Sequence, residues 1–433
     1  MGAAKVAIVG FGTVGSGVAR LLLEHGPRIA RQAGRMVELA RVVDTDLTRR
    51  RDVTLPEGVL TDDLSAVLND PEIVAAVEVV GGLEPARSIV LKLLESGKDI
   101  VTANKALLAE HGRELFQRAR QLGRSIAFEA AVAGGIPIIA ALSESLSVNQ
   151  IQSIHGILNG TSNFILTQME HQGADYAAAV AEAQRRGYAE ANPAMDVDGT
   201  DAAQKLAILA HLAFGAQANW SEIPRTGIDV IELSDIAYAR ELGYSIKLLA
   251  VADLDEQGLA LHVSPTLVRE GTPLAEVHGA YNAIRVVGDA VGQVFFHGLG
   301  AGQMPTAASV VADLVDTIVG RRQITFRAVD LWSDQREAGV ALRDPAEVRD
   351  RFYLRFHVDD RPGMLAEIAG ILGRHRISIA SVIQHEVDNG TNGIVPLVIM
   401  THGAPEGAVA QAVDSIDTLP FTHGRTMRMR VRD

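Results

Sequence analysis

The sequence predicts a multidomain α/β protein with a doubly wound parallel sheet, an α+β middle region and a small C-terminal βαββαβ domain. Three observations support this prediction. The 433-residue chain is longer than a single core usually supports. Its first part alternates apolar strands with helical stretches, and its last part runs strand, helix, strand, strand, helix, strand. We place the domains at 1–135, 136–330 and 351–433, with a polar linker at 331–350.

The composition excludes several classes of protein. Cysteine is absent, which removes disulfides, thiolate metal sites and a thiol nucleophile. The net charge of −13 is spread along the chain without a basic stripe, so we expect no nucleic-acid partner. No stretch approaches the roughly 20 apolar residues of a membrane span, and the first residues enter a strand pattern at once. We therefore expect a cytoplasmic protein with no membrane partner.

The first element is a strand, turn and helix. KVAIV is a compact apolar run, GFGTVG follows as the turn, and SGVARLLLEHG continues with apolar residues at helical spacing. In Rossmann-type domains such a turn binds pyrophosphate, because glycines permit close backbone approach and the helix N-terminus supplies N–H donors. A glycine-rich turn of unrelated use is the alternative. The expected cofactor-binding residues are Gly10, Phe11, Gly12, Thr13, Val14 and Gly15.

The second strand, VELARVV at 37–43, is followed by Asp44. An acid at this place hydrogen-bonds the ribose 2′-hydroxyl of NAD, whereas a nearby arginine accommodates the 2′-phosphate of NADP. Asp44 therefore mildly favours NAD, although Arg49, Arg50 and Arg51 follow closely. A plain turn aspartate is the alternative.

Further strand-like runs at 73–80, 99–103 and 125–132 alternate with helical stretches and complete a parallel sheet. Asn104 and Lys105 follow one of these strands, at the edge where open α/β sheets bind ligands. Lys105 is therefore a candidate for contact with cofactor and substrate. An ordinary surface lysine is the alternative.

The stretch GYAEANPAMDVDGTDAAQKLAILA combines acidic residues with a lysine on an apolar helix. Asp198 is a candidate cap for a helix that starts near 199, which places Asp201 and Lys205 one turn apart. Such a pair is usually an exposed ion pair, but this helix is otherwise apolar. A partly buried lysine needs acidic partners and becomes a usable proton donor when its pKa falls. The candidate partners are Glu190, Asp196 and Asp201.

Six segments within residues 5–330 resemble the homoserine dehydrogenase family, in family order: GFGTVGSGV, VTANKALLA, FEAAVAGGIPII, GILNGTSNFIL, GYAEANPAMDVDGTDAAQK and GAGQMPTAASVVADL. The resemblance implies reversible NAD(P)-dependent hydride transfer between L-aspartate 4-semialdehyde and L-homoserine, a step of threonine, methionine and isoleucine biosynthesis. Many family members carry arginine just after the second strand, where this chain has Asp44. The resemblance therefore does not decide between NAD and NADP.

The same resemblance implies roles for individual residues. Lys205 would donate the proton to the developing alkoxide, and Lys105 would assist from the cofactor side. Glu190 and Asp201 would hold the substrate, with Asp196 close by, and Gly302 would approach the nicotinamide. The loop that begins at Glu129 would bind a sodium or potassium ion, chiefly through the carbonyls of Val132, Gly134 and Ile136. From the residues alone, this loop is a structural glycine turn.

The C-terminal region resembles an ACT domain, whose first helix opens with Asp360-Arg-Pro-Gly363-Met364. This resemblance implies an amino-acid effector at Asp360, Gly363 and Met364, L-threonine in this family, and assembly into a homodimer or homotetramer. A domain used only for oligomerisation is the alternative. The residues alone leave two other functions open: an oxidoreductase for another small amino-acid aldehyde or alcohol, and a non-catalytic sensor of nucleotides and amino acids. We see no kinase segment and expect a monofunctional chain.

Overall fold

The computed structural model describes residues 2–329, 340–385 and 393–433. Residues 331–339 of the predicted linker lie outside this described part, and so does the segment Asp388-Asn-Gly, which the sequence predicts to be a turn between two strands. The strands are β1 (Ala4–Val9), β2 (Val37–Val43), β3 (Leu60–Thr61), β4 (Ile73–Glu78), β5 (Asp99–Thr102), β6 (Ile126–Ala127), β7 (Ile151–Ile157), β8 (Tyr244–Asp255), β9 (Gly258–Arg269), β10 (Tyr281–Gly288), β11 (Gly292–Leu299), β12 (Arg349–Asp359), β13 (Ile379–Ile383), β14 (Ile394–Thr401), β15 (Ala404–Pro405) and β16 (Met427–Arg432).

The helices are α1 (Thr13–Glu24), α2 (Gly26–Ala33), α3 (Ser65–Leu68), α4 (Ala86–Glu95), α5 (Lys105–Gln121), α6 (Ile138–Ala140), α7 (Gly160–Gln172), α8 (Tyr176–Arg185), α9 (Ala194–Val197), α10 (Thr200–Phe214), α11 (Leu233–Glu241), α12 (Gln303–Val319), α13 (Arg321–Val329), α14 (Met364–Arg374) and α15 (Glu406–Asp417). Among the described residues, we find no helix that is both long and apolar enough to cross a membrane.

The chain divides into two compact units. The first comprises Met1–Gln152, Ala203–Ile223 and Val286–Val340, and the second Ser153–Ala202, Pro224–Arg285 and Ala341–Asp433.

The first unit contains a parallel sheet in the order β3-β2-β1-β4-β5-β6. The predicted doubly wound sheet is therefore confirmed. The order reverses between β1 and β4, and dinucleotides bind at such a switch point, outside the carboxyl ends of the strands. The run at 125–132 differs from its prediction, because only β6 is strand and a 3₁₀ turn at Glu129–Ala131 follows. The Glu129 N–H donates to the Asp313 carboxylate at 2.7 Å, which directs the backbone out of the sheet.

Helices α1 and α12 share the apolar core of the first unit. Val18 of α1 is fully buried, as are Val310 and Leu314 of α12, in one cluster with the β1 side chains. A Cβ on Gly17 would lie 2.9 Å from the Gln303 side chain, so the missing side chain lets the two helices approach. Helix α12 therefore packs on the parallel-sheet region, although it lies about 175 residues further along the chain than the last strand of that sheet.

The second unit contains a mixed sheet that includes the order β7-β8-β9-β16-β12-β14-β13. Strands β8 and β9 form a long antiparallel hairpin. The C-terminal part, β12-α14-β13-β14-α15-β16, has the predicted βαββαβ order and its own buried apolar cluster. Strand β16 pairs in parallel with β9, with Arg430 opposite Thr266. The C-terminal sheet therefore continues the middle sheet.

Candidate functional site

The glycine-rich turn lies between β1 and α1. Gly10 has φ +100°, and a Cβ on it would lie 2.6 Å from the Val79 carbonyl oxygen, so only glycine fits. A Cβ on Gly15 would lie 2.0 Å from the Gly10 carbonyl oxygen. At Gly12, in contrast, no described atom lies within 4 Å of the Cβ position. Gly12 is also the N-cap of α1 and has no side-chain cap. The turn is thus compact on its inner side and open at the helix N-terminus, which suits a pyrophosphate.

The other predicted residues of this turn are Phe11, Thr13 and Val14, and they belong to the core or to the first turn of α1. Phe11 is 2% exposed and belongs to the core of the first unit. Thr13 and Val14 form the first turn of α1, where the Thr13 carbonyl accepts from the Ser16 hydroxyl at 3.1 Å. Their backbone N–H groups belong to the turn that is open to an anion.

Asp44 follows β2 and contacts the glycine-rich turn directly. One carboxylate oxygen accepts from the Phe11 N–H at 2.5 Å, and the other accepts from the Asp46 N–H at 2.8 Å. Arg51 folds over both residues: its guanidinium lies 3.3 Å from Asp44, donates from Nε to the Phe11 carbonyl at 2.8 Å, and stacks 4.8 Å above the Phe11 ring. The expected acid therefore has an arginine beside it. Sequence reasoning noted Arg51 only by its nearness in the chain.

Lys105 begins α5, directly after β5, at the carboxyl edge of the sheet, and is half-buried. Asn104 caps the helix by accepting the Leu107 N–H at 3.1 Å, and its amide donates to the Gly82 carbonyl at 2.7 Å. The buried Glu78 carboxylate accepts from the Thr102 hydroxyl at 2.7 Å. These contacts fix the backbone from which Lys105 projects, next to the carboxyl end of β4.

Gly302 is the N-cap of α12 and has φ +124°. The turn before it contacts the loop proposed for a cation, since the Gly135 N–H donates to the Leu299 carbonyl at 3.0 Å. Gly134 has φ +48°, and a Cβ on it would lie 2.3 Å from the Gly300 carbonyl oxygen. The loop at 132–136 and the turn at 299–302 are therefore in close contact, and the absence of a side chain at Gly134 permits it.

The carbonyl groups predicted to bind a cation lie in a buried turn. Val132 and Ile136 are buried, the Gly134 carbonyl accepts from the Ser309 hydroxyl at 2.8 Å, and the Ile136 carbonyl accepts from the Ile138 N–H at 2.8 Å. Each carbonyl oxygen has a second lone pair, and backbone carbonyl oxygens bind monovalent cations such as K⁺ in other proteins. The donor set therefore fits such an ion.

The Glu129 carboxylate forms hydrogen bonds to the backbone that follows this loop. It accepts the N–H groups of Ile139 and Ala140 at 2.8 and 2.9 Å. Burial, reinforced by Asp313, raises the pKa of Glu129 to about 7, and burial raises that of Asp313 to about 6. The Arg322 guanidinium contacts both carboxylates. The side chain of Glu129 thus organises the loop, and the backbone carbonyls stay the predicted cation ligands.

In the second unit, Asn159 joins the two central acidic residues. Its amide nitrogen donates to Asp196 at 2.8 Å and to Asp201 at 2.9 Å, while its oxygen caps α7 by accepting the Ser162 N–H at 2.8 Å. The Ser162 hydroxyl donates to the Asp196 carbonyl at 2.6 Å. From the sequence, the segment that contains Asn159 is either a tight turn or a polar pocket, and it forms part of the family resemblance without a role for Asn159 itself. The sequence feature that could have identified Asn159 is an asparagine between two apolar runs, because asparagine is a favoured helix N-cap.

The remaining predicted substrate and catalytic residues differ in exposure. Asp201 and Lys205 lie one turn apart on α10 and are 5% and 9% exposed, so neither is an ordinary surface charge. The predicted Asp198 contact is confirmed, because its carboxylate accepts the Thr200 N–H at 2.7 Å at the start of α10. Glu190 is exposed after α8, and its backbone carbonyl accepts from Gln184 at 3.1 Å.

The predicted effector residues surround the start of α14. Gly363 is the N-cap with φ +100°, has no described atom within 4 Å of its Cβ position, and is exposed together with Asp360. Met364 is buried in the C-terminal core. The helix N-terminus and an acidic side chain therefore lie close together along the chain, as an amino acid with two opposite charges requires.

Family models match three parts of the chain. Residues 10–129 match the model described as "Homoserine dehydrogenase, NAD binding domain", residues 137–315 match "Homoserine dehydrogenase", and residues 352–418 match "ACT domain". The chain therefore carries an NAD-binding domain and an ACT domain.

Individual proteins are similar over nearly the whole chain. The chain is 43% identical to a homoserine dehydrogenase of Pseudomonas aeruginosa, over 99% of this chain and 98% of that protein. A crystal structure of a homoserine dehydrogenase from Thiobacillus denitrificans matches with a TM-score of 0.92 and 42% identity, over 100% of this chain and 98% of the other. A hyperthermophilic archaeal homoserine dehydrogenase in complex with NADPH matches with a TM-score of 0.61 and 26% identity, over 72% of this chain and 97% of the other.

Proposed function

The chain belongs to the homoserine dehydrogenase family, and we propose that it reversibly reduces L-aspartate 4-semialdehyde to L-homoserine with a nicotinamide cofactor. The observation that carries this proposal in the structure is the contact of Asn159 with both Asp196 and Asp201. Two carboxylates held by one amide form a fixed negative centre, which suits the ammonium group of an amino-acid substrate. Asn159 is a positioning residue in this proposal.

Lys205 supplies the proton in the proposed reaction. Reduction of the C4 aldehyde produces an alkoxide, and a buried ammonium is a suitable donor to that oxygen. In the direction of oxidation, the neutral amine of Lys205 takes the hydroxyl proton back. Glu190 and Asp201 bind the substrate ammonium, and Asp196 supports Asp201 through Asn159. Lys105, at the carboxyl edge of the parallel sheet, assists from the cofactor side.

The first unit has residues that fit a dinucleotide. The open backbone at Gly12 and the uncapped start of α1 suit the pyrophosphate, and Gly302 lies on the nicotinamide side in the proposal. A bound nicotinamide supplies the hydride for reduction and accepts it for oxidation. We propose that Asp44 favours the ribose of NAD and that Arg51, beside it, makes the 2′-phosphate of NADP acceptable as well. The balance between the two cofactors then depends on this pair.

Regulation, assembly and the cation complete the proposal. The ACT domain takes an amino-acid effector, L-threonine, at Asp360, Gly363 and Met364, and ACT pairing makes the protein a homodimer or homotetramer. Sodium or potassium binds the carbonyls of Val132, Gly134 and Ile136. The protein acts in the cytoplasm. The cation proposal predicts that activity falls when sodium and potassium are both replaced by choline.

The function is tested by following nicotinamide reduction by the purified chain. L-Homoserine is compared with L-serine and other small amino alcohols, with NAD and NADP in parallel, and with or without L-threonine. Turnover that requires L-homoserine and changes with L-threonine supports both the reaction and the effector. Preference for a different alcohol indicates an oxidoreductase of other specificity. A folded protein that binds cofactor but turns over no substrate indicates a sensor.

A further inference from the structure

A cluster of two histidines and one glutamate lies near the end of α7, among residues that the proposed reaction does not use. Glu170 and His171 are in the last turn of α7, and His278 is in the loop between β9 and β10. One ligand atom from each of these three side chains lies within 4.8 Å of the others. We propose that Glu170, His171 and His278 form a binding site for a divalent transition-metal ion, best suited to Zn²⁺, that fastens α7 to the loop at 277–281.

The distance between the two histidines matches a shared metal. His171 Nε2 and His278 Nδ1 are 3.3 Å apart. Zinc binds histidine nitrogen at about 2.0–2.1 Å in tetrahedral geometry, which places two ligand nitrogens about 3.3–3.4 Å apart. The two rings lie at 73° to one another with centroids 4.7 Å apart. The two imidazoles therefore already have the spacing of one tetrahedral edge.

Glu170 supplies a third ligand with a free oxygen. Its Oε1 accepts from the Ser245 hydroxyl at 2.7 Å, which fixes the carboxylate. Its Oε2 is buried and has no hydrogen-bond partner within the described residues. A buried carboxylate oxygen without a partner costs free energy unless something binds it. A metal ion would satisfy this oxygen, and two histidines with one carboxylate are a known zinc ligand set that leaves one position for water.

The loop that carries His278 is held against α7 on both sides of the histidine. The Asn163 amide donates to the carbonyls of Val277 and Gly279 at 3.1 and 2.9 Å. The Thr167 hydroxyl accepts from the Gly279 N–H at 2.9 Å. Asn163 and Thr167 lie on α7 one turn apart, before Glu170. The ligand geometry is therefore set by the fold rather than by the metal, which favours binding because little ordering remains to be done.

The neighbouring charges permit a cation. The buried Lys247 ammonium donates to the Val277 carbonyl at 2.9 Å and opposes positive charge nearby. The negative charges of the Glu170 and Glu276 carboxylates interact favourably with the Lys247 ammonium and offset its positive charge. His171 is exposed, so an ion has access from solvent.

The experiment is a zinc titration of the untagged full chain after treatment with a chelator. Calorimetry and metal analysis after gel filtration should give one zinc per chain with a Kd in the micromolar range or tighter. His171→Ala and His278→Ala should each weaken binding at least tenfold, and Glu170→Gln should weaken binding while it can keep the contact with Ser245. His402→Ala removes an exposed histidine away from the cluster and should bind zinc as the wild type does.

Thermal unfolding and visible spectra complete the test. Zinc should raise the unfolding temperature of the wild type but not that of His171→Ala. Because the His171 side chain is exposed, we expect this variant to fold normally, so a lost zinc effect would report lost binding. Cobalt at the same site should give the visible absorption of a tetrahedral ion, and Mg²⁺ should not compete. The proposal is overturned if the wild type binds no zinc at tens of micromolar, or if His171→Ala and His278→Ala bind as tightly as the wild type.

Discussion

Asn159 donates a hydrogen bond to Asp201 across 2.9 Å, from the N-cap of α7 to the first turn of α10. The same nitrogen donates to Asp196 at 2.8 Å. One amide therefore sets the positions of two carboxylates from different elements. The proposed binding of an amino-acid substrate depends on this contact, although the sequence resemblance assigned Asn159 no role.

Replacing Asn159 by serine tests that dependence. Serine keeps a good N-cap but is too short to reach both carboxylates. Loss of hydrogen bonds to charged groups costs about 1.5–3 kcal/mol each, so we expect kcat/KM for L-homoserine to fall about ten- to a hundredfold. Steady-state kinetics give this value, and a fluorescence titration should give an unchanged Kd for the cofactor. Asn219→Ser, at an exposed cap in another segment, serves as control. Wild-type kinetics in Asn159→Ser would contradict the positioning role.

Asp44 and Arg51 are predicted to act in opposite directions on cofactor choice. Asp44→Asn can keep an acceptor for the Phe11 N–H but loses the charge, so kcat/KM for NADP should rise relative to NAD. Arg51→Ala removes the cation and should lower the same ratio by about tenfold, because phosphate recognition by arginine is charge-assisted. The ratio of the two catalytic efficiencies measures both effects. If neither variant changes the ratio, the pair does not determine cofactor choice.

Gly134 is predicted to be irreplaceable because of a contact rather than its backbone angle alone. Gly134→Ala places a Cβ 2.3 Å from the Gly300 carbonyl oxygen. Gly123 also has positive φ, +66°, but no described atom lies within 4 Å of its Cβ position. Gly123→Ala should cost about 1 kcal/mol of unfolding free energy from strain alone, and Gly134→Ala clearly more. Urea unfolding compares the two variants, and equal losses would show that the contact relaxes without cost.

His262 is predicted to weaken the fold in acid. It is only 3% exposed on β9, and burial, followed by Arg430 and Arg432, lowers its pKa well below the usual value. A depressed pKa means that the unfolded chain takes up a proton near pH 6.5 while the folded chain does not. Stability from this group is therefore present above about pH 6.5 and lost as the pH falls, by up to about 1.4 kcal/mol per pH unit.

His262→Gln checks this origin of the acid sensitivity, because an amide does not titrate. Between pH 7 and pH 5 the unfolding free energy of the variant should fall by about 2 kcal/mol less than that of the wild type. His375→Gln, at the half-exposed C-cap of α14, should behave like the wild type. Parallel pH profiles for the wild type and His262→Gln would assign the acid sensitivity to other groups.

Much of the fold follows from local patterns in the sequence. Strand β2 and the glycine-rich turn were predicted at their observed positions, because a short apolar run and glycine spacing are local signals. The pairing of β16 with β9 was not predicted, since the residues involved are far apart in the chain. Asn159 lies 42 residues before Asp201, and Arg51 reaches Phe11 across 40 residues. Such contacts arise only from tertiary packing, which a single sequence does not specify.

The central claim is that Lys205 transfers the proton in homoserine dehydrogenation, and Lys205→Met tests it most directly. Methionine keeps the apolar length of a side chain that is only 9% exposed and removes the ammonium. General acid–base catalysis contributes about 10²–10⁴-fold, and Lys205 acts as the base in oxidation, so kcat for L-homoserine oxidation should fall by that factor. The cofactor Kd should stay within about twofold of the wild type, and Lys92→Met, on the exposed side of α4, should retain full activity. A kcat for Lys205→Met close to that of the wild type would contradict the account.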